Sequence, residues 1–140
     1  MSLTLRALTP DEIAKREAAL DLAAQLVGFP RPLTIEDVQA LYDAFLSQDE
    51  YPECLASSAG YAFGEQIQNA SDFVWVFVSD EEYGEELCVA APGKAIYCAP
   101  VSMILGRLDR KETVDLVALR DETIETIRRR IAEGKAGYRA

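Results

Sequence analysis

The chain has 140 residues and a formal net charge of −10, from 14 Lys/Arg against 24 Asp/Glu, with 49% hydrophobic and 27% charged residues. That length suits one domain burying roughly two thirds of its unfolded surface, and the composition excludes disordered and fibrous classes. The acidic balance repels phosphate backbones and anionic membrane surfaces, and no apolar run approaches the roughly 20 residues that cross a bilayer; with an amino terminus that lacks a secretory apolar core, a cytoplasmic protein with no nucleic-acid and no membrane partner is expected.

Thr9-Pro10-Asp11-Glu12 predicts a helix start, with Thr9 as N-cap, Pro10 at the first helical position and Glu12 completing a capping box. Ile13, Leu20, Ala24 and Val27 recur at helical spacing, and Gly28 before Phe29-Pro30 supplies the stop. Arg31-Pro32-Leu33 reads as an extended connector, because residues before proline avoid the helical region. A second helix is expected from Thr34, with Glu36 and Asp37 in its first turn and a stripe of Ile35, Val38, Leu41, Tyr42 and Phe45. It should end between Gln48 and Tyr51, ahead of Pro52.

Helical character resumes over 52–68, where Gly60 and Gly64 share one face. Each glycine costs about 1 kcal/mol relative to alanine in a helix interior, so a compensating close approach to a sheet or another helix is expected. The run lacks the Lys-Ser/Thr of a P-loop and the spacing of a dinucleotide turn. Asn69-Ala70-Ser71-Asp72 then breaks the helix and leads into a strand over 73–79. Phe73, Trp75 and Phe77 fall on one face of it and Val74, Val76 and Val78 on the other, a pattern that calls for cover on both sides.

Asp80 to Gly84 reads as a turn, followed by strands over 85–90 and 95–99 joined at Pro92-Gly93 in the order of a type II turn. A short helix over 101–108 and a last helix starting near Thr113 or Asp115 complete the elements. The last helix carries a core face of Leu116, Leu119, Ile124, Ile127 and Ile131, with Arg128, Arg129 and Arg130 toward its carboxyl end. Gly134 and Gly137 release a tail expected to be mobile. The whole reads as one α+β domain, a three-stranded antiparallel β-meander packed by flanking helices, with an N-terminal helical part over 1–51 and a C-terminal helix over 113–133.

The chain contains no histidine, which removes His-dependent triads, histidine general bases and His-containing metal sites. Cys54, Cys88 and Cys98 form no C-x-x-C pair and read as buried reduced thiols. A two-residue hairpin loop at Pro92-Gly93 would set Cys88 opposite Tyr97, and a three-residue loop would set it opposite Cys98; only the second brings the sulfurs together.

Carboxylates remain the groups with chemical potential, and Asp80, Glu81, Glu82, Glu85 and Glu86 crowd the hairpin tip without a compensating cation. Such oxygens suit hard cations, but the spacing of a calcium loop is absent and a hairpin tip is polar simply because it faces water. Arg107, Arg110 and Lys111 could take an anion or meet the acidic hairpin, although intramolecular charge balance and helix-end pairing are the favoured account of them. Over residues 1–106 there are 5 Lys/Arg against 17 Asp/Glu, a net of −12, and over 107–140 there are 9 against 7, a net of +2. The acidic part attracts a basic partner, and it also favours solubility.

The run G-x-x-x-G-E before the strand, the Phe-Val-Trp-Val-Phe-Val segment, Asp80 with Tyr83-Gly84, and Pro100-Val101-Ser102-Met103-Ile104 followed by a basic residue together resemble a bacterial family catalogued as domain of unknown function 3806. The resemblance covers residues 59–119, within a core of 52–119, and leaves the helices before Pro52 outside. It implies a shared α+β fold and no activity, so no functional residue is carried over from it.

The expected function is therefore a noncatalytic protein-interaction role, immunity-like or regulatory, in which the acidic surface meets a basic protein partner, with no cofactor. Candidate binding residues are Asp80, Glu82, Glu85, Glu86 and Arg107. The competing expectation is small-molecule or metal binding, which needs Asp80, Glu82, Glu85 and Arg107 to converge on a concave site. An acidic mimic of nucleic acid is a third, and it needs carboxylates spaced like phosphates along one surface.

Overall fold

The computed structural model describes residues 2–134 and 137–140. Both N-terminal helices begin at reciprocal capping boxes. At α1 (Pro10–Val27), the Glu12 N–H donates to Thr9 Oγ1 at 3.2 Å and the Thr9 N–H donates to Glu12 Oε1 at 2.9 Å. At α2 (Ile35–Leu46), Thr34 and Asp37 repeat the exchange at 3.2 and 2.9 Å. Gly28, at φ +86, closes α1 in the left-handed conformation that glycine adopts without a Cβ penalty.

α3 (Glu53–Asn69) is the central helix, and its two glycines explain why. A Cβ added at Gly60 would lie 2.5 Å from Val101 Cα, and one at Gly64 would lie 2.5 Å from Trp75 Cη2 and 2.8 Å from Pro100 Cγ. The expected close approach is thus made on two sides, to α4 (Pro100–Asp109) and to the sheet. Buried polar bonds fix the other helices around it. Gln66 Nε2 donates to the Leu33 carbonyl at 2.7 Å, and the Tyr42 hydroxyl donates to the Glu112 carbonyl at 2.6 Å. Gln39 bridges the Val114 carbonyl and the Leu116 N–H at the start of α5 (Leu116–Ala132), whose N-cap is Asp115. No helix among the described residues is long and apolar enough to cross a membrane.

The sheet is larger than the expected three-stranded meander. It has five strands in the order β1 (Leu3–Arg6), β2 (Val74–Asp80), β3 (Gly84–Ala90), β4 (Ile96–Cys98) and β5 (Tyr138–Arg139). All neighbours are antiparallel except β4 and β5, so the sheet is mixed. β1 and β5 are short segments that become strands only by pairing with the distant β2 and β4. Residues 135 and 136 of the tail expected to be mobile lie outside the described residues, but Tyr138 and Arg139 are held as β5 by bonds from Tyr138 N–H to the Ala95 carbonyl (3.1 Å) and from Ala140 N–H to the Tyr97 carbonyl (2.8 Å).

The β3–β4 register also differs from both expected alternatives. The turn closes as expected, with the Lys94 N–H donating to the Ala91 carbonyl at 3.1 Å and Gly93 at φ +69. Ala95 then stays in the loop, so that Ala90 pairs with Tyr97 and Val89 with Cys98. Cys88 and Cys98 consequently sit on opposite faces of the sheet. Cys54 is exposed, not buried.

The two faces are covered unequally. Phe73, Trp75, Leu87, Val89, Ile96 and Cys98 join side chains from all five helices in the main core, and the Tyr61 ring stacks on Trp75 with centroids 5.9 Å apart. The other face holds Val78, Cys88, Ala90, Tyr97 and Ala99, flanked by Leu3, Leu5 and Val76, and among the described residues no apolar side chain of a helix joins that cluster. The valine row therefore lacks the helical cover that its sequence pattern called for.

Candidate functional site

The β2–β3 hairpin presents the acidic residues one by one. Asp80 serves the turn itself, because its Oδ1 accepts the N–H groups of Glu82 at 2.7 Å and Tyr83 at 3.2 Å, while Gly84 at φ +84 completes the reversal. Glu81, Glu82 and Glu85 are exposed, and among the described residues none of them has an ion-pair partner. Alternation sends Glu85 to the helix-covered side, where it pairs in register with Ser79, and Glu86 to the valine side, where it pairs with Val78.

Glu86 is the member of this group whose partners are side chains from outside the hairpin. The Ser102 hydroxyl reaches its two carboxylate oxygens at 2.7 and 2.9 Å, and an Arg139 guanidinium nitrogen stands 3.5 Å from Oε2. α4 begins where β4 would otherwise continue beside β3, which puts Ser102 alongside Glu86. Arg139 arrives from β5 in register with Tyr97, its guanidinium 4.5 Å from the centre of the Tyr83 ring and 6.0 Å from that of Tyr97. Burial works against the Arg139 charge, but Glu86 and a hydrogen bond with Tyr97 outweigh it, so its pKa lies above the ordinary arginine value. Tyr97 in turn titrates above an ordinary tyrosine, chiefly through burial.

Tyr97, Arg139, Tyr83 and Glu86 thus form a strap across the β3–β4 half of the valine face. The β1–β2 half is open only toward the start of β2: Val74 is 41% exposed and Leu3, Leu5 and Val76 are half-buried, while Val78 is buried. Beneath the strap, burial and then the Glu86 charge push the Cys88 thiol well above its usual range, while burial pushes Cys98 on the opposite face up to about 12. Both remain protonated thiols at neutral pH and are unsuited to nucleophilic work.

Arg107 stands apart from the hairpin. Its guanidinium donates to the Met103 carbonyl at 3.2 Å, and it lines a groove of about 450 Å³ between α4 and α5 with Glu122, Glu125 and Arg129. The neighbouring cations are taken up by helix-end pairing: Arg110 binds Glu112, and Lys111 Nζ donates to the Gln48 carbonyl at 2.7 Å. The groove that Arg107 lines takes in none of Asp80, Glu82 and Glu85. A larger open cleft of about 920 Å³, between the α2–α3 connector and the end of α4, is lined by Asp49, Glu50, Glu53 and Asp109 beside Tyr51 and Lys111. Its carboxylates come from two distant segments, so sequence spacing could not have revealed it. Among the described residues no group of three or more Cys, Asp or Glu side chains is arranged to hold a metal ion.

Arg139 escaped the sequence reading because it lies in a two-residue strand. The only local sign of it was the alternation of Tyr138 and Arg139 after Gly137.

No curated protein and no solved structure matches the chain. A family model does match, over residues 35–119, which takes in α2, α3, the β2–β4 strands and α4 and so begins earlier than the resemblance from residue 59. Both the hairpin with Glu86 and the Pro100–Ser102 corner fall inside that span, and the chain belongs to the family described as Domain of unknown function (DUF3806).

Proposed function

We propose that the protein is a noncatalytic interaction module of the cytosol whose acidic hairpin side engages a basic protein, in an immunity-like or regulatory role. The observation that carries this reading is the state of Glu81, Glu82 and Glu85: exposed, adjacent and without ion-pair partners among the described residues. Unpaired surface carboxylates of one sign steer an oppositely charged partner and speed its encounter more than they add to affinity. The net of −12 over residues 1–106 extends that field well beyond the tip. The metal or small-molecule alternative has less support, because its four residues are spread over the hairpin tip and the α4–α5 groove.

The test compares the tagged wild-type chain with the triple variant Glu81→Gln/Glu82→Gln/Glu85→Gln. At low salt the wild type should retain proteins of basic isoelectric point and release them as salt rises, and the variant should retain markedly less. A wild-type chain that retains nothing at low salt, or a variant that retains the same proteins equally, overturns the reading.

A further inference from the structure

The β1–β2 half of the valine face carries an arrangement that the hairpin alone does not explain. Along β2 the side chains on this face read Val74, Val76, Val78, Asp80, and Asp72 is exposed in the bend two residues before the strand starts, so that a carboxylate stands near each end of three valines. Leu3 and Leu5 of β1 widen the apolar row, standing in register with Asp80 and Val78. An antiparallel sheet with one face in water ordinarily turns polar residues outward, and here the outward residues are aliphatic. Val74 is 41% exposed and Tyr83, which borders the patch at the hairpin end, is 55% exposed. Asp72 and Glu82 at the two ends have no ion-pair partner among the described residues.

We propose that this helix-free face docks an amphipathic helix of a basic partner protein, with its apolar stripe on Leu3, Leu5, Val74 and Val76 and Lys or Arg side chains meeting the carboxylates at both ends. The proposal rests on the interaction reading above and names where and how the partner binds. Three features select this occupant. The opposite face of the same sheet is buried by helices, the element that covers a sheet face of this kind. The acidic ends are complementary to a helix with basic termini: β2 together with the two residues before it, from Asp72 to Asp80, spans at most roughly 26 Å, about the length of 18 helical residues. A second copy of the chain is disfavoured, because each carries a net charge of −10 and face-to-face pairing would bring carboxylates toward one another.

The experiment uses an 18-residue amphipathic peptide with a leucine stripe and lysines at both ends, and a second peptide of the same stripe with glutamates at the ends. Binding to the full chain is read by fluorescence anisotropy, with sedimentation to report the oligomeric state. The lysine peptide should bind, should weaken as salt rises, and should lose about tenfold in affinity on Val74→Glu/Val76→Glu or on replacing its lysines by glutamate. Asp72→Lys, at an exposed position outside the strand, gives a second variant that leaves the apolar row intact and should weaken binding in the same direction. Equal binding of both peptides, no binding, indifference to both variants, or self-association dispersed by Val74→Glu/Val76→Glu each overturn the proposal. If the hairpin triple variant still loses basic proteins while the lysine peptide ignores the valine face, the docking geometry fails and the interaction reading survives. If neither responds, both fail.

Discussion

The two faces of the sheet are built from similar residues and end in different situations. On one side Trp75 lies under α3 and takes the contact that Gly64 opens for it, and every helix contributes to the same core. On the other, Val74 and Val76 have only the neighbouring strands beside them, and a strap of Tyr97, Arg139 and Tyr83 covers the β3–β4 half. Apolar composition by itself therefore does not say which face of a strand is core. What separates them here is whether a backbone can come close, and the glycines of α3 decide that.

Truncation on each face tests this inequality most strongly. Trp75→Ala removes a buried ring from between Tyr61 and Gly64 and should cost about 3–5 kcal/mol, a large share of the roughly 5–15 kcal/mol that holds a domain of this size. Val74→Thr, on the same strand and the opposite face, should stay within about 0.5 kcal/mol. Urea unfolding of both variants gives the comparison. Similar losses from the two would mean that the valine face is as much core as the aromatic one.

The helix-covered side was largely legible in the sequence because its signals are local. Thr9 with Glu12, the stop at Gly28 and the spacing of Gly60 and Gly64 each act within a few residues and are found in place, and of the two expected starts of the last helix, Thr113 and Asp115, the second is its cap. The helix-free side was less legible because long-range pairing makes it. Leu3–Arg6 and Tyr138–Arg139 are too short to announce themselves, and they become strands only against β2 and β4. The same holds for the candidate site. The exposure of Glu82 and Glu85 follows from a hairpin tip, but the meeting of Glu86 with Ser102 and Arg139 depends on a strand that periodicity does not show. The β3–β4 register turned on whether Ala95 stays in the loop, which the Pro92-Gly93 turn leaves undetermined.

The cysteines give an intermediate probe of the same comparison, with one on each face and one in solvent. Cys54 is exposed and should react with a thiol reagent at once, while Cys88 and Cys98 should be protected by on the order of a thousandfold, since each needs an opening of roughly 4 kcal/mol. Cys88, beneath only Tyr97 and the two-residue β5, should label before Cys98, which lies under the helices. Peptide mass mapping during slow labelling reads the order. Labelling of Cys98 first would show that the strap holds better than the helical layer.

The smallest expected effect concerns the corner where the two sides join. Arg6 closes β1, lays its guanidinium 4.1 Å from the centre of the Phe77 ring and pairs with Glu12 at 2.7 Å, so that one exposed ion pair ties the edge of the helix-free face to the start of α1. The hydrogen bond from Arg6, followed by that from the Thr9 N–H, lowers the Glu12 pKa to about 2 from an ordinary 4.5. A carboxylate whose pKa falls on folding stabilises the native state above its unfolded pKa and ceases to do so as pH drops through the folded one. The difference in melting temperature between wild type and Glu12→Gln should therefore be constant at neutral pH, shrink between pH 4.5 and 2, and vanish below. Added salt should reduce it, because the pair is open to water. Hydrogen exchange at Thr4, whose N–H faces β2, over the same pH range separates a local from a global effect: earlier loss of protection there than at Ile67 within α3 means that β1 peels from β2 while the helix-covered side stays closed. Simultaneous loss at both would make the two faces one cooperative unit and remove the distinction between them.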